Sequence, residues 1–201
     1  MINFNRFDFA TIQAWIPKAA RVLDLGCGDG SLLASLAANR NAQGYGIETD
    51  PQCMQSCVEK GVAVIEQNID KGLNNFSDQS FDTVLMTQAI QELSNPRQLL
   101  QDIVRVGHQG IVTFPNFGFW KNRWMLTFQG RMPESKLIPH KWYSTPNIHM
   151  CTCDDFEILC DENGILIQKK IVVNSQGRET QLTQFLPNLF GELAIYLITA
   201  A

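Results

Sequence analysis

The most constraining feature of this chain is an apolar run that breaks into three glycines at alternate positions. Residues 22–25 are followed by Gly26, Gly28 and Gly30, in the pattern Asp-x-Gly-x-Gly-x-Gly. The run predicts a buried parallel strand, and each glycine permits a positive φ or a close approach of the backbone to a ligand. Ser31 is a suitable N-cap for the helical pattern that follows. A strand, a glycine loop and a helix in this order predict a nucleotide-cofactor site.

Two phosphate-binding loops do not fit these residues. A Gly-x-Gly-x-x-Gly turn needs glycine at position 31, where the chain has Ser31, and the Gly-Lys-Ser/Thr of a P-loop is absent. The acid Asp24 suits a ligand with a positive end, and S-adenosylmethionine carries an ammonium and a sulfonium but no phosphate. Here the chain resembles class I S-adenosylmethionine-dependent methyltransferases. A structural glycine turn in another α/β domain is the alternative.

Strand and helix patterns alternate along the chain. Strands are predicted at 21–25, 43–48, 62–67, 81–86, 110–115, 165–173 and 194–199, and helices at 7–15, 31–39, 51–60, 96–106 and 153–162. Alternation of this kind predicts a right-handed, doubly wound and mostly parallel sheet. The expected fold is therefore α/β and Rossmann-like, with seven strands, as in class I methyltransferases.

Composition limits the other possibilities. A chain of 201 residues with 45% hydrophobic content suits a single domain over residues 1–201. No apolar run has membrane-spanning length, and residues 1–9 are too polar for a signal peptide, so we expect a cytoplasmic protein with reduced cysteines. A net charge of −4 argues against nucleic acid as a partner. No metal site is expected, because His149, Cys151 and Cys153 lack the usual Cys-x-x-Cys spacing.

The cofactor residues are expected at the carboxyl ends of the strands, where the strand order reverses. Glu48 ends the second predicted strand and can accept the ribose hydroxyls of a nucleoside. The methyltransferase resemblance implies an acid for the adenine amino group after the third strand, where this chain has Asn68. The expected cofactor-binding residues are Asp24, Gly26, Cys27, Gly28, Gly30, Glu48, Asn68, Ile69 and Gln88.

No catalytic group is evident. Gln88 and Gln91 follow the fourth strand, where many methyltransferases carry a histidine, and neutral amides do not act as bases near pH 7. His149 is a third weak candidate. Methyl transfer from a sulfonium is an in-line displacement that needs little beyond alignment, so the missing base is weak evidence against catalysis.

An aromatic and basic insertion interrupts the pattern at about residues 116–150. Within residues 117–143 it holds three of the four tryptophans and five basic residues against one acidic residue. The interpretations are a cap on the sheet edge, a surface for a protein partner and a lid over a methyl acceptor. The residues expected to bind a partner or substrate are Trp120, Trp142, Arg123 and Arg131, since guanidinium groups pair bidentately with carboxylates.

Beyond the cofactor loop, the chain resembles the methionine biosynthesis family MetW over nearly its whole length. The most specific segments are 114–117 (Phe-Pro-Asn-Phe), 130–133 (Gly-Arg-Met-Pro) and 142–149 (Trp-Tyr-Ser-Thr-Pro-Asn-Ile-His), besides the glycine loop, Phe81-Asp82, Gln88, Gln91 and Arg105-Val106. The resemblance implies a methyltransferase-like fold that acts with the homoserine O-acyltransferase MetX as its activating partner. The chain lacks the Gly-x-Ser-x-Gly nucleophile of such hydrolase-fold enzymes, so any part in acylation is expected through that partner.

Two hypotheses follow from the sequence. In the first, the protein binds S-adenosylmethionine or S-adenosylhomocysteine and regulates the acyltransferase. In the second, it is an active methyltransferase on a small acidic metabolite, with Gln88, Gln91 and His149 around the acceptor. No membrane partner is expected in either case.

Overall fold

A seven-stranded sheet organises the chain in the computed structural model, which describes residues 8–201. The strand order is β3-β2-β1-β4-β5-β7-β6. The pairs among β1 to β5 are parallel, and β7 runs antiparallel to both β5 and β6. The strands are β1 (Arg21–Leu25), β2 (Gln43–Glu48), β3 (Ala63–Glu66), β4 (Phe81–Thr87), β5 (Gly107–Pro115), β6 (Ile165–Val173) and β7 (Leu193–Ala200). The doubly wound, mostly parallel sheet is thus confirmed.

Eight helices accompany the strands in the described part of the chain. They are α1 (Asp8–Trp15), α2 (Ser31–Arg40), α3 (Pro51–Glu59), α4 (Pro96–Val106), α5 (Trp120–Trp124), α6 (Cys153–Glu162), α7 (Gln181–Phe185) and α8 (Pro187–Phe190). The predicted bounds of α4 and α6 are confirmed, and Thr152 caps α6 through a capping box. Residue 7 of the predicted first helix lies outside the described residues. None of these helices has the length and apolar character needed to cross a bilayer.

The prediction that Ser31 is an N-cap is wrong. Gly30 holds the N-cap position of α2 with φ 73°, and Ser31 is the first helical residue. The Ser31 hydroxyl donates to Asp29, and Lys60 donates to both of these side chains. Asp29 therefore takes part in a small polar cluster beside the helix start.

The strands alternate their side chains between two apolar layers. In β1, Val22 packs with Leu32, Leu36 and the other apolar residues of α1 and α2, whereas Leu23 and Leu25 pack with those of α4 and α6. Because successive strand residues face opposite sides, β1 is buried on both faces. This burial fixes the end of β1, and with it the start of the glycine loop, at the middle of the sheet.

Candidate functional site

The glycine loop after β1 adopts a conformation that favours glycine at three positions. Gly26, Gly28 and Gly30 have φ of 71°, 55° and 73°, in the left-handed region where a Cβ atom is strained. The N–H groups of Gly26 and Cys27 donate to Ile47 O over 2.9 and 3.0 Å, which fastens the loop to the end of β2. The spacing of the glycines is therefore a requirement of the turn itself.

Two thiols lie beneath the loop. Cys27 is 7% exposed, and its Sγ lies 3.8 Å from Cys57 Sγ of α3. Burial, together with nearby Asp24, raises the pKa of Cys27, and burial also raises the pKa of Cys57. The thiols are therefore held neutral and support the loop from below. A Cβ atom at Gly30 would lie 2.8 Å from Cys57 Sγ, so close packing also favours glycine there.

Glu48 at the end of β2 binds backbone donors with both carboxylate oxygens. Its Oε2 accepts from Gly28 N over 2.9 Å. Its Oε1 accepts from Thr49 N and Asp50 N over 2.7 and 3.0 Å. A carboxylate offers about four acceptor positions, so roughly one remains for a ribose hydroxyl. Glu48 thus positions the glycine loop as well as facing the expected ligand.

The residues after β3 form a single 3₁₀ turn, Ile69–Lys71. Asn68 caps this turn, because its side-chain oxygen accepts from Asp70 N over 2.9 Å. The Asp70 carboxylate accepts from the N–H and the hydroxyl of Ser94 over 2.8 and 3.2 Å. The side-chain oxygen of Asn68, which is expected to accept a hydrogen bond from the adenine amino group, therefore already accepts one from the backbone of this turn.

Residues 88–94, which we call the linking segment, connect β4 to α4. Gln88 has φ 58°, a strained value for a residue with a side chain, and its N–H donates to Thr113 O over 2.8 Å. Ser94 binds Asp70 at the other end of the segment. The linking segment thus spans from the β5 side of the sheet to the turn after β3.

A cavity of about 350 Å³ opens at the carboxyl ends of the parallel strands. Five of the expected cofactor residues line it, namely Gly26, Glu48, Asn68, Ile69 and Gln88. Asp24, Cys27, Gly28 and Gly30 do not line the cavity; Asp24 is buried in β1, and the other three belong to the loop behind Gly26. The expected residues therefore form two groups. Five line the cavity, and the other four belong to β1 or to the glycine loop beside it.

Sequence reasoning missed further residues that line this cavity, namely Thr49, Gln67, Thr87 and Glu92. Glu92 is chemically the most informative. Partial loss of solvent raises the pKa of its carboxyl group, while His140 acts to lower it and Glu48 to raise it. Glu92 follows Gln88 by four residues, in the stretch after β4 where many methyltransferases carry a histidine, and the only sequence signal for it is that it is an acid.

The charge of the cavity favours a cation. Glu48, Asp70 and Glu92 line it, and no lysine, arginine or histidine does so among the described residues. Opposite charges attract strongly where solvent is partly excluded. An acidic cavity suits the sulfonium and ammonium of S-adenosylmethionine and disfavours the pyrophosphate of a dinucleotide.

Gln91, a weak candidate for a place around an acceptor, forms hydrogen bonds that support the local fold. The residue is 4% exposed, and its side-chain amide donates to Pro115 O over 3.1 Å. Its backbone oxygen accepts from the N–H groups of Ile148 and His149 over 2.8 and 3.0 Å. Gln91 therefore fastens the end of β5 and the C-terminal end of the insertion to the linking segment, and His149 is exposed.

The insertion contains helical structure where the sequence shows no periodic pattern, since α5 continues into a π-helical turn, Met125–Gln129. A small cavity of about 20 Å³ lies between the insertion and Gln91, with Phe117, His140 and Trp142 among its lining residues. Arg123 and Arg131 are both exposed, and Arg123 Nε donates to Gly118 O over 2.6 Å. Arg123 thus serves the local fold in addition to any partner.

Large apolar side chains of the insertion are exposed. Trp142 and Tyr143 are both 70% exposed, Phe128 is 69% exposed and Trp120 is 43% exposed. Exposed aromatic groups grouped on one segment are typical of protein interaction sites. Among residues 8–201 no three histidine, cysteine or acidic side chains are grouped as a metal site.

Comparisons with known proteins find relatives of this chain. The model of the family "Methionine biosynthesis protein MetW" matches residues 6–198. A curated relative, the bifunctional methionine biosynthesis protein MetXA/MetW of Rhodopirellula baltica, is 29% identical over 198 residues. The match covers 94% of this chain and 32% of the relative, so the chain spans about a third of that protein's length.

Solved structures show the same fold at low sequence identity. An S-adenosylmethionine-dependent methyltransferase from Mesorhizobium loti superposes with a TM-score of 0.70 at 14% identity, covering 96% of this chain and 98% of that one. The [4+2]-cyclase SpnF superposes with a TM-score of 0.67 at 16% identity, covering 96% and 80%. Since one of these neighbours is named for a cyclisation, the fold does not by itself establish methyl transfer.

Proposed function

Because this chain belongs to the MetW family of methionine biosynthesis proteins, we propose that it binds S-adenosylmethionine and regulates the homoserine O-acyltransferase MetX. S-adenosylmethionine is made from methionine, so its binding would report the level of the end product. In this proposal the bound cofactor is a signal, and the acyl transfer takes place on the partner.

The ligand assignment is supported by the cavity. Its volume of about 350 Å³ falls within the range of small-molecule sites. Glu48 offers a ribose hydroxyl one acceptor position, and Asn68 and Ile69 lie where the base would extend beyond β2. The acidic lining favours the two cationic groups of the ligand. These residues fit S-adenosylmethionine better than an anionic nucleotide.

The partner assignment is supported by the fused relative. The relative is named for both MetXA and MetW, which are joined in one chain. Only about a third of that chain matches the present protein. Such fusions hold two units at high effective concentration, which favours units that act together. The exposed aromatic side chains of the insertion supply a surface for such a partner.

The single observation that carries a regulatory function is the double contact of the linking segment. Gln88 and Glu92 line the cofactor cavity, while Gln91 between them binds Pro115 at the end of β5 and Ile148 and His149 of the insertion. A ligand that prefers one conformation of this segment therefore biases the insertion as well. The segment provides a route between the cavity and the partner surface.

An activity titration of purified MetX tests this function. We expect acyl transfer to increase severalfold when the chain is added, and the increase to vary with the concentration of S-adenosylmethionine. The double variant Gly26→Val with Glu48→Ala is the control, since it should lose the response to the cofactor. Equal MetX activity with and without the chain, at every cofactor concentration, would refute the proposal. Formation of S-adenosylhomocysteine in the same assay would favour methyl transfer instead.

A further inference from the structure

Three carboxylates line the cofactor cavity, and two of them are held by hydrogen-bond donors. Glu48 accepts three backbone N–H groups, and Asp70 accepts the N–H and hydroxyl of Ser94. The carboxylate of Glu92 forms no hydrogen bond or ion pair with any residue between 8 and 201. It is the acid of this cavity whose charge is left for a ligand.

The surroundings of Glu92 support an electrostatic function. Glu92 is exposed overall, and the partial loss of solvent around its carboxyl group is the main cause that raises its pKa, with Glu48 acting in the same direction and His140 of the insertion opposing both. His140 is exposed and does not line the cavity. A carboxylate without a close cation is stabilised when a cationic ligand enters.

The cofactor and its demethylated product differ in charge more than in shape. S-adenosylmethionine has a sulfonium, whereas S-adenosylhomocysteine has a neutral thioether, and both share the adenosine and the amino-acid group. A residue that distinguishes them must therefore respond to the charge at sulfur. Glu92 lines this open cavity of about 350 Å³ and is itself exposed, so its carboxylate acts on a charge inside the cavity by a short-range attraction that solvent and salt partly screen.

From this arrangement we infer that Glu92 sets the selectivity of the cavity for the sulfonium of S-adenosylmethionine over the neutral sulfur of S-adenosylhomocysteine. The inference rests on the proposed function and specifies its signal, because the protein then responds to the methylated cofactor and not to its product. Glu92 is a specificity-determining residue in this account. It contributes through its charge and is not assigned a proton-transfer step.

Calorimetric titration of the full chain with three ligands tests the inference. The ligands are S-adenosylmethionine, S-adenosylhomocysteine and sinefungin, in which a carbon bearing an amine replaces the sulfonium. In Glu92→Gln we expect the affinities for S-adenosylmethionine and sinefungin to fall about tenfold and that for S-adenosylhomocysteine to stay within about twofold. Glu92→Asp, which keeps the charge, should retain most of the selectivity.

The control is Glu66→Gln, which removes an acid at the end of β3, in register with Glu48 but outside the cavity. It should leave all three affinities within about twofold. An equal loss for all three ligands in Glu92→Gln would overturn the inference, since it would place Glu92 on the shared ammonium or in the local fold. Unchanged affinities would overturn it as well. Wild-type protein that bound none of the ligands would refute the proposed function itself.

Discussion

Replacing Glu48 with glutamine is expected to weaken the binding of S-adenosylmethionine about 30-fold, or about 2 kcal/mol. The carboxylate accepts three backbone N–H groups, and the amide end of glutamine would face one or more of these donors. The substitution therefore disturbs the glycine loop and removes the acceptor expected for a ribose hydroxyl. Calorimetric titration measures the loss.

Glu66→Gln is again a matched control for this effect. Glu66 is paired with Glu48 in the β2–β3 register and is exposed at the neighbouring strand end. If Glu48→Gln lowered the affinity no more than Glu66→Gln does, Glu48 would have no part in ligand binding. Melting temperatures of both variants separate loss of the ligand contact from loss of the fold.

Replacing Arg105 with alanine is expected to lower the free energy of unfolding by about 3 kcal/mol. The guanidinium binds Asp102, Asp78 and two backbone oxygens, those of Leu73 and Phe76. The Asp102 side chain is 5% exposed and would lose its cation, keeping only the N–H of Leu73 as a donor at 3.1 Å, and a buried charge without an opposite charge is strongly unfavourable. Denaturant titration measures the loss.

Arg97→Ala on the same helix is the control for Arg105→Ala. Arg97 pairs with Glu162 over 3.3 Å, and both side chains are more than half exposed. Exposed pairs contribute little, so we expect a change of about 0.5 kcal/mol or less. If the two variants lost similar amounts of unfolding free energy, the burial of Asp102 would not be the reason for the loss in Arg105→Ala. Arg105 also fastens residues 73–78 to α4, which supports the turn that follows β3.

The sheet could be predicted because its local patterns agree with its tertiary structure. Residues 21–25 are buried on both faces, and Pro96 with Val106 bounds a helix whose apolar side packs on the sheet. Positions set by short-range chemistry, such as Thr152 and the loop glycines, follow from the same local rules. The end of the sheet at which the cavity opens could therefore be predicted from the sequence.

The linking segment and the insertion could not be predicted in the same way. The place of Gln91 depends on Pro115 and on residues 148–149, which are distant in the sequence. Glu92 lines the cavity together with residues from several strand ends that are distant in the sequence. Its position there could not be predicted from the acid alone. The prediction for Ser31 was wrong because a serine and a glycine compete for one N-cap, and the left-handed turn selects Gly30.

Hydrogen exchange of the full chain, with and without saturating S-adenosylmethionine, tests the link between cavity and insertion most directly. We expect slower exchange in the linking segment and also at the amides of Ile148 and His149, which donate to Gln91 O and do not line the cavity. Slower exchange restricted to the glycine loop and the ends of β2 and β3, with Ile148 and His149 unchanged, would contradict this link.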